Sequence, residues 1–203
     1  MTPPYESRPR NLEIFSLTQI FVNVLNIPSL EMLNMKLLSL MGERKARLKD
    51  RWLQRLFEGY PPETTIFLKK EKDRFDNPVG YQTAEGLRRL LDTVIQEMDR
   101  GQVLAALDEI ISIRALQNFS PSQALAFIFL LKDVIREELA PELQNGQFSQ
   151  ELQELESRID GLALLGFEVY TRRREKLLEI RIAEVKNRVS GFLRSKGMDV
   201  GSF

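Results

Sequence analysis

Asn118-Phe119-Ser120-Pro121-Ser122-Gln123, running on into Ala124-Leu125-Ala126-Phe127-Ile128-Phe129-Leu130-Leu131, is the stretch on which the fold turns. Ser120 suits the N-cap of a helix, because its hydroxyl can accept from a backbone N–H that has no partner inside the helix. Pro121 suits the first helical position, where its missing N–H costs nothing, and Gln123 sits where a capping box places its return bond. The helix so opened runs from Pro121 to Leu139 and is apolar on nearly every face, which marks it as the buried central helix.

Helical spacing continues on both sides of it. Upstream, Leu104, Leu107, Ile110, Ile111 and Ala115 form the core stripe of a helix over Gln102–Gln117. Before the Arg100-Gly101 break, Leu87, Leu90, Leu91, Val94, Ile95 and Met98 mark another over Thr83–Met98, preceded by the turn Asp76-Asn77-Pro78. Asn34 to Glu58 reads as one amphipathic helix stopped by Gly59-Tyr60-Pro61-Pro62, and a short helical piece covers Glu63–Lys70. Downstream of the Asn145-Gly146 turn, Ser149 caps a last helix that meets no proline before Lys196, about 70 Å at 1.5 Å per residue. No alternating pattern with hairpin turns competes, so the fold class is all-α, a helical bundle with a long C-terminal helix.

Composition narrows the function. The 203 residues hold 29 Lys plus Arg against 29 Asp plus Glu, so no whole-molecule field draws in nucleic acid or membrane. Cysteine and histidine are both absent. That removes disulfides, thiolate metal sites and cysteine nucleophiles, together with the commonest general base and the usual proximal haem ligand. Cofactors and metals are expected to be none. No phosphate loop, EF-hand spacing or positioned acid–base pair is present, so the chain is read as no enzyme. Apolar runs fall short of a membrane span, which predicts a cytoplasmic protein. Residues 1–34 read as a flexible or amphipathic extension, with Leu12–Leu25 interrupted by polar residues, residues 35–197 as the domain, and residues 198–203 as a tail.

The phrases Leu107-Asp108-Glu109-Ile110-Ile111-Ser112-Ile113-Arg114-Ala115-Leu116-Gln117-Asn118-Phe119-Ser120-Pro121-Ser122-Gln123-Ala124 and Phe129-Leu130-Leu131-Lys132-Asp133-Val134-Ile135-Arg136-Glu137-Glu138-Leu139 closely resemble the N-terminal domain of the RsbR and RsbRD-type co-antagonists. Phe67-Leu68-Lys69-Lys70, Arg74-Phe75-Asp76-Asn77-Pro78-Val79-Gly80 and Leu155-Glu156-Ser157-Arg158-Ile159-Asp160 agree with it, and the likeness runs from Met35 to Gly197. The resemblance implies a globin-like helical fold without haem, a homodimer, and the sensory or regulatory half of bacterial stress-signalling proteins whose long helix leads into a STAS domain. The chain stops at Phe203, so that output is expected on a separate protein signalling partner.

Two sets of residues are candidates for the working surfaces. Trp52, Phe119, Phe127, Phe129 and Phe167 either surround a small cavity for an unknown small ligand or are plain core. Arg114 either holds an anionic ligand there or pairs with Asp108 or Glu109. Arg172-Arg173-Arg174 reads as a solvated helix face, diluted by Glu168, Glu175 and Glu179, or as a contact for an acidic partner or lipid head groups. Leu178, Ile182, Val185, Val189 and Phe192 form a seam on the part of the last helix that a compact domain cannot cover, so it is buried against a second copy or against residues 11–33. Two functions follow: a signal-sensing regulatory module, or a dimeric structural adaptor within a larger, membrane-associated redox complex.

Overall fold

The computed structural model describes residues 36–70, 75–96, 100–117 and 119–196. All lie in the unit that runs from residue 35 to residue 203. Residues 1–34, including the expected appendage Leu12–Leu25, fall outside them, as do Met98 and residues 197–203. Among the described residues the chain is all-α: α1 Lys36–Glu43, α2 Lys45–Glu58, α3 Pro62–Lys70, α4 Pro78–Ile95, α5 Arg100–Leu116, α6 Pro121–Glu138, α7 Ala140–Leu143 and α8 Ser149–Ser195.

The capping box forms as its residues dictate. The Ser120 hydroxyl accepts from Gln123 N–H at 3.3 Å, and the Gln123 amide oxygen accepts from Ser120 N–H at 3.0 Å. A second cap was read only as a turn. The Asn77 side chain accepts from Gly80 N–H at 2.8 Å and donates to the Leu68 carbonyl at 3.1 Å, so one buried amide starts α4 and closes α3.

Three expectations are corrected. The helix expected over Asn34–Glu58 is two helices, α1 and α2, that meet at Arg44, whose guanidinium reaches across to Glu142 and to the Glu138 carbonyl. No proline marks that break, and backbone hydrogen bonds from Arg44 N–H to the Leu40 carbonyl and from Leu48 N–H to the Arg44 carbonyl run across it. Ser149 does not cap α8. Phe148 holds the N-cap position, and the Ser149 hydroxyl donates to the Gly146 carbonyl at 2.9 Å, on a turn where Gly146 takes φ +69°. Finally, α6 is not buried all round. Ala124, Phe127, Ile128, Leu131, Val134 and Ile135 face the core, whereas Phe129 is 48% exposed.

The core is built where α8 lies on α5 and α6, α2 lies on α6, and α4 on α5. Two crossings need glycine. A Cβ at Gly86 of α4 would stand 2.6 Å from Ile110 Cγ1 of α5, and one at Gly166 of α8 would stand 3.0 Å from both Ile128 and Leu125 of α6. Close approach buries Leu87, Leu90, Ile110, Ile111, Ile128 and Leu162 almost completely. The helix α8 serves this core only as far as Tyr170. From Arg172 to Ser195 no residue is buried, so about half of its 47 residues stand out from the domain.

Candidate functional site

The last turn of α5 carries Arg114 into the core, where only 7% of the residue remains exposed. Its guanidinium lies 4.5 Å from the Phe119 ring centre, 5.5 Å from that of Tyr60 and 5.9 Å from that of Phe127. Trp52 stacks on Phe127 with ring centres 6.1 Å apart and donates its indole N–H to the Phe127 carbonyl at 2.6 Å. Three segments thus meet on one cation, the α2–α3 corner through Tyr60, the α5–α6 corner through Phe119 and α6 through Phe127, and α2 joins them through Trp52 behind Phe127. Three aromatic faces turned on a guanidinium attract it through their quadrupoles, and burial strengthens the attraction.

The cation's hydrogen bonds complete the cluster. Arg114 Nη2 donates to the Gln123 carbonyl at 2.8 Å and Nη1 to the Tyr60 hydroxyl at 3.2 Å, while Tyr60 donates onward to Gln117 at 3.0 Å. Nε is buried and has no acceptor. Burial lowers the Arg114 pKa, and it raises that of Tyr60 although the guanidinium alone would lower it. The expected carboxylate partners are not used. Asp108 pairs with Arg173 and Glu109 with Arg89. The reason is periodicity: six and five residues back along α5, at about 100° each, both carboxylates point away from the Arg114 face.

Of the candidate pocket residues, the structure brings together Trp52, Arg114, Phe119 and Phe127. Phe129 and Phe167 stand outside at 48% and 53% exposure. Tyr60, met in the sequence only as part of a helix stop, is the member that sequence reasoning missed. A second buried cation was missed as well. Arg158 of α8 is 3% exposed, its Nη1 and Nη2 have no hydrogen-bond partner, and Glu154 one turn earlier is the charge that offsets its desolvation.

The seam residues Leu178, Ile182, Val185, Val189 and Phe192 are all exposed, and so are Leu164 and Phe167. At about 100° per residue these seven lie within about 80° of arc on α8, so one apolar stripe starts inside the domain and continues along the projecting half. The pairs Lys132–Asp160 and Arg136–Glu156 set α6 antiparallel to α8, which puts Phe129 beside the Leu164 turn of that stripe. The arginine triplet is not a free face. Arg172 bonds Glu168, Arg173 bonds Asp108, and Arg174 Nη1 donates to the Ala115 carbonyl at 3.2 Å. No helix among the described residues is long and apolar enough to cross a membrane.

The family model described as the RsbT co-antagonist protein rsbRD N-terminal domain matches residues 46–185, a span that takes in the Arg114 cluster and most of the stripe. No curated protein and no solved structure matches the chain.

Proposed function

Because the chain belongs to the RsbT co-antagonist protein rsbRD N-terminal domain family, a family of regulatory signalling domains, we propose that it is a non-catalytic module of stress signalling that works as a homodimer in the cytoplasm and acts on a protein partner through α8. The observation that carries the reading is the single apolar stripe on α8. A helix with seven exposed apolar residues in line, five of them beyond the domain, is stable in water when a second helix covers it. From Leu178 to Phe192 the five are spaced by four, three, four and three residues, which is the spacing of a coiled-coil seam.

The Arg114 cluster is the receiving end in this reading. It joins α2, α5 and α6 around one buried charge, and a signal that binds one arrangement of these helices more tightly than another shifts the balance between them. An adaptor that senses nothing would use the same stripe but would have no need of the cluster.

Native mass spectrometry of the full chain tests the proposal. A dimer that retains a small molecule of defined mass, lost in the Arg114→Met variant, is the expected result. A dimer without one shifts the assignment to the adaptor, and a monomer at micromolar concentration removes the dimeric reading altogether.

A further inference from the structure

The turn of α8 at which the helix leaves the domain is tied to α5 and to the α5–α6 corner by three side chains. The buried Tyr170 donates its hydroxyl to the Phe119 carbonyl at 2.7 Å, Arg174 donates to the Ala115 carbonyl at 3.2 Å, and Arg173 bonds Asp108. Two of these acceptors are backbone carbonyls at or just after the C-terminal end of α5, within five residues of Arg114. On the other flank of the same turn the tie is looser, Arg100 of α5 standing 3.8 Å from the Glu168 carboxylate of α8. A cleft of about 430 Å³ separates α5 from α8 there, with Leu104 and Val169 as its apolar lining and Lys176 and Glu179 on the projecting side. The Arg173–Asp108 pair stands at its rim, since both residues also line the cleft.

We infer that Tyr170, Arg173 and Arg174 form a clamp that sets the angle at which α8 leaves the domain, and that the adjoining cleft is the space into which the helix turns when the clamp opens. The inference rests on the reading of α8 as the transmitting element and supplies its moving part. The ends of α5 and α6 held by the Arg114 cluster carry the carbonyls that the clamp grips, so a rearrangement of the cluster moves the grip. Turning α8 towards α5 would bring Lys176 and Glu179 over Leu104 and close the cleft. The clamp is weak enough to be a switch: net hydrogen bonds contribute about fivefold each to an equilibrium, and a half-exposed ion pair less.

The absence of cysteine makes the test direct, because nitroxides attached in a Leu104→Cys/Glu179→Cys chain report one distance across the cleft. Pulsed dipolar spectroscopy is done on the full chain, diluted with unlabelled protein so that only distances within one copy are read. With the clamp intact one narrow distance is expected. Tyr170→Phe with Arg174→Gln removes two ties without a large volume change and should raise a second, shorter population, the open-to-clamped ratio rising about 25-fold. An unchanged distribution, or one that spreads only to longer distances, overturns the inference, as does a wild-type chain that already shows both populations equally. Arg173→Gln alone is the milder variant and should give a smaller shift in the same direction. A chain found to be monomeric and free of ligand would sink the proposed function while leaving this measurement readable.

Discussion

Arg114 and Arg158 are both buried cations, and their surroundings predict opposite consequences of removing them. Arg114 has two charge-assisted bonds, at about 1.5–3 kcal/mol each, and three aromatic faces, at about 0.5–2 kcal/mol, set against a desolvation cost of several kcal/mol. Its replacement by Met should lower stability by about 1–2 kcal/mol in urea unfolding. Arg158 bears the desolvation cost with neither Nη atom bonded and only Glu154 to offset it, so replacing both charges, in Arg158→Met/Glu154→Gln, should raise the urea midpoint by the equivalent of about 1–4 kcal/mol. If both variants move the midpoint the same way, the hydrogen bonds of Arg114 do not decide its balance. The cluster also gives a pH signature. Burial raises the Tyr60 pKa above its ordinary value near 10, so the folded state holds that proton after the unfolded chain has lost it. The resulting stability is complete below about pH 10 and is lost as pH rises through the folded value. Melting curves of wild type and Tyr60→Phe should therefore converge above about pH 10. Trp52 and Phe127 face the core as buried aromatics at helical spacing do, and Arg114 and Phe119 meet them there. Tyr60 was not legible in the sequence, since a residue in a proline-rich helix stop gives no local sign that it meets a guanidinium 54 positions later. Phe129 and Phe167 were misplaced because helical spacing marks a stripe without saying whether the domain or another chain covers it.

The elements divide by whether their cause is local. Where it is, as at Ser120-Pro121-Ser122-Gln123, the sequence alone places the helix start to the residue, and the energy is local too. Ser120→Ala should cost about 1 kcal/mol, read from urea denaturation, since it leaves the Gln123 N–H of the first turn of α6 to water. Where the contacts are distant, the local residues carry no sign of them. Arg44, at the break between α1 and α2, contacts Glu142 some 98 positions downstream, and the first turn of α1 takes the Glu151 carboxylate, with Leu37 N–H donating at 2.8 Å. Gly86 shows the same dependence at a crossing. In isolation Gly86→Ala would favour the helix by about 1 kcal/mol, but the new methyl would stand 2.6 Å from Ile110 Cγ1. That carbon is close to the backbone and cannot swing aside as the end of a long side chain would. The packing loss, about 1–3 kcal/mol, should outweigh the propensity gain, so the thermal midpoint falls. A rise would mean that α4 and α5 can separate by a few tenths of an ångström without loss.

At the scale of the whole molecule, α8 belongs to two structures at once. Its first half is a core helix, with Leu155, Ile159, Leu162, Gly166 and Val169 packed against α5 and α6. Its second half buries no residue, yet keeps an apolar seam. The join is at Tyr170–Arg174, where the last buried side chain is followed by the ties to α5 and the α5–α6 corner. A second copy on the stripe therefore touches the domain and the projecting half together, because Leu164 and Phe167 lie in line with Leu178 to Phe192. This leads to an unequal response to two classes of substitution. If α8 pairs along the seam as proposed, Leu178→Asp/Val185→Asp should convert a dimer to a monomer in analytical ultracentrifugation. The urea midpoint of the domain should move by less than about 0.5 kcal/mol, as for other exposed positions. Charging Leu162, one turn from the same stripe but facing the core, should instead unfold the domain, since it buries an unpaired charge. If the Leu178/Val185 variant remained dimeric, the partner of α8 would have to lie elsewhere than along this seam. If it lost domain stability as well, the projecting half would be packed on its own domain, and α8 would be a core helix to its end.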